Sequence, residues 1–168
     1  MVGFGRLMLV TVIRRALLGT LVALGIAASL IGGPASAGSL DVVASFTAKT
    51  SQLDVATYTD PNQKPSTVGL LGISHSNSIA FNADQWKSLV DLVHKAAAAT
   101  ATAAAAWTEA GSIKDVSKDV ATLTVSSGPG LRFVISSAKG GIVTHILPKA
   151  DMARLEKALA QVSDALSK

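Results

Sequence analysis

A hexapeptide occurs twice in this chain. Asp54-Val55-Ala56-Thr57-Tyr58-Thr59 returns as Asp119-Val120-Ala121-Thr122-Leu123-Thr124, with five identities in six positions. The order of turns and apolar stretches after each copy repeats as well. The first leads through a Pro-rich turn, Asp60 to Pro65, into the apolar stretch Val68 to Ile73, a polar turn at His75 to Asn77, and Ile79-Ala80-Phe81. The second leads through Ser127-Gly128-Pro129-Gly130 into Leu131 to Ile135, the turn Lys139-Gly140-Gly141, and Ile142 to Leu147. From the repeated Asp to the first apolar helix residue is 32 residues to Trp86 and 33 to Met152. Self-similarity of this kind marks a duplicated supersecondary unit.

Each unit reads as a β-meander followed by a helix. Apolar residues alternate with Thr in Ala121 to Val125, and Gly-containing turns bound the strands as in hairpins. A further strand, Val42 to Ala48, precedes the first unit, and its counterpart lies near Ile113. Asn82 can cap the first helix with Gln85 three residues on, and Phe81 and Trp86 have the spacing of a hydrophobic staple. Trp86, Leu89, Val90 and Val93 follow the helical stripe, as do Leu155, Leu159, Val162 and Leu166 in the second unit. There Leu147 and Met152 repeat the staple, while Pro148 occupies the cap and weakens it. Ala96 to Ala106 holds nine Ala and two Thr, which predicts that the first helix runs on to Trp107, the alternative being a low-complexity linker. The expected fold is α+β: duplicated units, about residues 38–107 and 108–168, forming one pseudo-twofold, two-layer domain with two helices on the sheet. Its 131 residues suffice for one core, whereas either half alone would be marginal.

Residues 1–37 read as an address. Arg6, Arg14 and Arg15 form a basic start, Ala16 to Ile31 is a sixteen-residue uncharged apolar run, and Gly32-Gly33-Pro34 breaks any helix. Ala35-Ser36-Ala37 then supplies small residues for a signal peptidase, placing cleavage between Ala37 and Gly38. The competing reading is an uncleaved N-terminal anchor, since residues 16–37 are uncharged over 22 positions. Arg14-Arg15 resembles a twin-arginine signal but has Ile13 where Ser or Thr is preferred. Met8 could serve as the start as well as Met1. The expected location is the periplasm or the medium of a bacterium, with no membrane span in the mature chain.

Cleavage alters the charge argument. Of 15 basic residues three leave with the leader, so twelve face eleven acids and the net charge falls from +4 to +1. A near-neutral chain offers little to nucleic acid or an anionic membrane. The lack of Cys excludes disulfides, thiolate-ligated metals and a lipid anchor on cysteine.

Catalytic constellations are not evident. His75, His94 and His145 are not spaced for shared metal ligation, and no Ser stands in a Gly-x-Ser-x-Gly turn. Asp115 and Asp119 are flanked by Lys114 and Lys118 and read as a solvated charged loop. No catalytic residue, cofactor or metal is therefore expected. Trp86 reads as core. Trp107 is the candidate partner-binding residue, since Trp is enriched at interface hot spots, the alternative being simple packing across the pseudo-twofold.

The stretch Ile79-Ala80-Phe81-Asn82-Ala83-Asp84-Gln85-Trp86-Lys87-Ser88-Leu89 resembles the strand-to-helix junction of PC4-type transcriptional coactivators. The related whirly proteins place two such units in one chain, as the duplication does here. That resemblance implies single-stranded nucleic-acid binding on the sheet, which needs a basic groove with aromatic platforms. The predicted strands offer only Lys49, Arg132, Tyr58 and Phe133. The leading expectation is a small exported non-enzymatic binding module, a monomer or weak dimer, whose partner is an unknown protein or envelope component. A nucleic-acid binder, and a hydrolase assembled from dispersed residues around His145, are the alternatives.

Overall fold

The computed structural model describes residues 38–168 apart from 75–76, 101–105, 118–120 and 139. The expected leader with its expected cleavage residue Ala37, and His75 and Asp119, lie outside the described residues. Among the described residues no helix is long and apolar enough to cross a membrane.

The protein is α+β, built from two similar units. The first comprises β1 (Ser39–Thr47), β2 (Gln52–Thr59), β3 (Thr67–Ile73), β4 (Asn77–Phe81) and helix α1 (Ala83–Thr100). The second comprises β5 (Thr108–Lys114), β6 (Ala121–Ser127), β7 (Gly130–Ser137), β8 (Gly141–Pro148), a single 3-10 turn at Lys149–Asp151, and helix α2 (Met152–Leu166). Each unit forms a four-stranded antiparallel meander, β1-β2-β3-β4 (sheet A) and β5-β6-β7-β8 (sheet B).

The helices are exchanged. α1 packs chiefly on β5, β6 and β7 of the second unit, and α2 on β1, β2 and β3 of the first. Leu92 of α1 lies against Gly111 of β5, and the Trp86 indole N–H donates to the Leu159 carbonyl of α2 at 3.1 Å. Buried side chains of both sheets and both helices merge in one core, including Leu53, Leu71, Phe81, Leu123, Phe133 and Leu155. Neither half keeps its own helix, so neither has a private core.

The first helix begins as its sequence dictates. Asn82 N–H donates to Gln85 Oε1 at 3.1 Å while Gln85 N–H donates to Asn82 Oδ1 at 2.9 Å, a complete capping box. The Phe81 and Trp86 rings meet edge to face at 6.0 Å. Pro148 provides no side-chain cap, and the chain enters α2 through the 3-10 turn instead. At its other end α1 is helical through Thr100, but Ala106 and Trp107 are not. The expected run of helix to Trp107 fails there, because Thr108 already pairs with Ser127 as the first residue of β5.

The repeated hexapeptides do not occupy equivalent places. Both first hairpins carry a bulge, opposite Val55 and Ala56 in sheet A and opposite Val125 and Ser126 in sheet B. The ladders therefore equate Val55 with Val125, whereas the letters equate Val55 with Val120, five positions away. An odd displacement turns every side chain to the other face. Leu53 and Val55 face the core on β2, so Ala56 faces out; its letter-match Ala121 lies in the core with Leu123 and Val125. The duplication holds at the level of architecture, with hairpin loops of different length absorbing the offset.

Candidate binding surface

Trp107 is placed by the end of the β6–β7 hairpin. Its ring covers Gly128, where a Cβ would stand 2.7 Å from the ring, so only glycine fits under it. The Arg132 guanidinium lies 5.1 Å from the ring centroid, a cation–π contact worth about 0.5–1 kcal/mol at a half-exposed site. Arg132 Nη2 also donates to Ser126 Oγ at 3.3 Å, while its Nε is buried without an acceptor among the described residues. Trp107 itself is half-buried.

This pair continues into an outward-facing surface. Leu131, Phe133 and Ile135 face the core, so Arg132, Val134 and Ser136 face away. The register sets Arg132 beside Ile146, Val134 beside Thr144, and Ser136 beside Ile142. Ile142 is 73% exposed and Ile146 47% exposed, both on the edge strand β8. Sheet A carries a second exposed apolar pair on its edge strand, Leu40 and Val42, beside Tyr58 and Ala56. Among the described residues, outward-pointing strand charges are sparse and balanced: Arg132 and Lys114 on sheet B against Glu109, and Asp54 on sheet A.

Among the described residues the histidines do not converge. His94 is exposed on α1, and His145 is 1% exposed on the core side of β8. His145 pairs across the ladder with Phe133, as Ile79 pairs with Leu71 in the first unit. It thus takes the place of an isoleucine. Its Nδ1 lies 3.0 Å from Ser51 Oγ, in the β1–β2 turn of the other unit. Burial holds its pKa below the ordinary 6.5, partly offset by the negative charges of Asp151 and Asp54. Ser45 Oγ and Gln52 Nε2 both donate to Asp54 Oδ1, at 2.6 and 2.7 Å.

Asp115 overturns its reading as a solvated loop residue. It is 7% exposed, and its carboxylate accepts from Ala80 N–H of β4 at 2.9 Å and from Ser117 N–H at 2.8 Å. The charge is buried because the loop after β5 closes over the edge of β4, and those two amides stabilise it.

The sequence singled out Trp107 and named Arg132 among the strand residues, but nothing in it joined the two or set Ile146 beside Arg132. The alternation in Ile142 to Leu147 signalled a two-faced strand; only the register decides which face is outside. No protein-family model matches this chain, and no curated protein matches its sequence.

Proposed function

We propose that this chain is a small exported binding module of the bacterial envelope or medium that works by contact rather than by catalysis. The outer face of sheet B is its contact surface, and its partner is a protein or envelope component presenting an apolar, uncharged surface. One observation carries the reading: Trp107 lies on Arg132, whose cross-strand neighbour is the exposed Ile146, with Ile142 exposed farther along the same face of β8. Large exposed apolar side chains grouped beside an aromatic–arginine pair are the composition of an interface centre. The leader over residues 1–37 supports export.

The alternatives draw less support. Single-stranded nucleic acid requires a positive groove, and the outward rows of the two sheets are close to neutral. The Ser51–His145 contact joins a nucleophile type to a base type, but its imidazole fills a core position equivalent to Ile79.

Fluorescence tests the proposal. Trp86 is 1% exposed and contributes a constant background, so a change in emission on binding reports Trp107. Adding fractionated envelope material is expected to quench or blue-shift Trp107, and Ile146→Ser is expected to abolish the change. Emission that no envelope fraction alters, together with oligonucleotide binding that weakens steeply with salt, would put the nucleic-acid reading in its place.

A further inference from the structure

A β-sheet edge presents unpaired backbone donors and acceptors, and proteins blunt such edges with bulges, charges, short strands or covering loops. Three of the four edges here are blunted. β1 is bulged between Val42 and Ala44, and Arg154 of α2 donates to its Ser45 carbonyl. β5 is bulged between Glu109 and Gly111 and carries exposed charges at Glu109 and Lys114. β4 is only five residues long, and its Ala80 N–H and C=O are taken by Asp115 and Val116 of the β5–β6 loop.

β8 has none of these devices between Gly141 and Leu147, and its one proline, Pro148, stands at the last position of the strand. It runs eight residues in unbroken register with β7, from Pro148 opposite Gly130 to Gly141 opposite Ser137. It contains no acidic residue, Lys or Arg, and its one ionisable side chain, His145, is turned into the core. The loop that would correspond to Asp115 and Val116, between β1 and β2, reaches β8 through the Ser51 side chain on the core side. Among the described residues no loop hydrogen bond covers its outer edge.

We propose that two copies of this chain pair through β8, antiparallel about a twofold axis at Thr144, joining their B sheets into one continuous sheet. The outward residues of β8 read Ile142, Thr144, Ile146, the same sequence of residue types in both directions. Antiparallel pairing about Thr144 sets Ile142 opposite the second copy's Ile146, Ile146 opposite its Ile142, and Thr144 opposite Thr144. Apolar pairs and a Thr–Thr pair are the favourable cross-strand combinations, and no charge meets a like charge within the strand. A twofold interface must be complementary to itself, and this edge is. A strand from another protein would need to supply the same pattern; a second copy already has it. The pairing also brings two Trp107–Arg132 surfaces onto one sheet face.

The chain has no Cys, so engineered thiols report register directly. Thr144→Cys is expected to form a disulfide-linked dimer by itself under mild oxidation. Ile142→Cys and Ile146→Cys are expected to cross-link as a mixture far better than either does alone. In sedimentation experiments the unmodified protein should show a concentration-dependent dimer. Ile142→Lys, at a 73% exposed position that the fold does not need, should weaken it about tenfold, while Leu40→Lys on β1 should leave it unchanged. A protein that stays monomeric at every concentration overturns the proposal. So does a dimer insensitive to Ile142→Lys, or one in which Leu40→Lys is the damaging change. A monomer whose Ile142→Lys variant loses binding to an envelope protein would assign the edge to a foreign strand instead.

Discussion

The two units share an architecture and fill it differently. At the first strand-to-helix junction Trp86 lies over Gly69, and a Cβ on that glycine would overlap the indole. The equivalent residues in the second unit are Met152 and Leu131, a flexible side chain beside a branched one. One row along, Leu71 and Ile79 of the first unit become Phe133 and His145 of the second. Volume removed at one position is restored at its neighbour, as close packing demands. The exchange of helices explains how such asymmetry is tolerated: each side chain answers to a shared core rather than to its own repeat. The units also part at their edges, since Asp115 and Val116 close β4 and, among the described residues, no comparable hydrogen bonds close β8.

The largest expected effect tests the unequal filling. Trp86→Ala removes a fully buried ring and its hydrogen bond to Leu159, and should cost about 3–5 kcal/mol in urea unfolding. Met152→Ala, at the equivalent but half-buried site, should cost about 1–2 kcal/mol. Equal costs would mean that the two junctions carry the core alike and that the asymmetry is only one of shape.

Next comes the His145 position. A histidine whose folded pKa lies below 6.5 stays neutral in the native state while the unfolded chain takes up protons. Its stabilising contribution is complete above 6.5 and is lost as pH falls through the folded value. Melting temperatures should therefore fall from neutral toward acid pH. His145→Ile, which copies Ile79, should flatten that dependence, preferably with Ser51→Ala to avoid orphaning the hydroxyl. A variant with the same acid slope would show that His145 is not the titrating group.

The smallest effect concerns the caps. Asn82→Ala should destabilise by about 1 kcal/mol, because it breaks the box with Gln85. Pro148→Ala should change thermal stability little, since Pro148 provides no side-chain cap. Comparable losses at both sites would place hidden capping at the start of α2.

Much of the fold was legible from local chemistry. Asn82, Gln85, Phe81 and Trp86 sit within about one helical turn of each other, so their contacts need no tertiary information. Gly128-Pro129 and Gly140-Gly141 announced hairpins for the same reason. Asp115 was misread because its neighbours in the chain are charged, whereas its partner, Ala80, is 35 residues distant. Ser51 and His145 are separated by 94 residues, and no spacing rule could join them. The repeated hexapeptide pointed to the right architecture through a letter match that the strand register does not use.

By itself the sequence determined the kind of elements, the start of α1, the turns, and the two-unit organisation, because these follow from periodicity and from interactions within a few residues. Three matters were left to the tertiary structure: which helix lies on which sheet, which face of each strand is buried, and which edge stays open. Each depends on one part of the chain meeting another far along it. A strand's alternation says that it has two faces, but only the layer packed against it decides which one is inside.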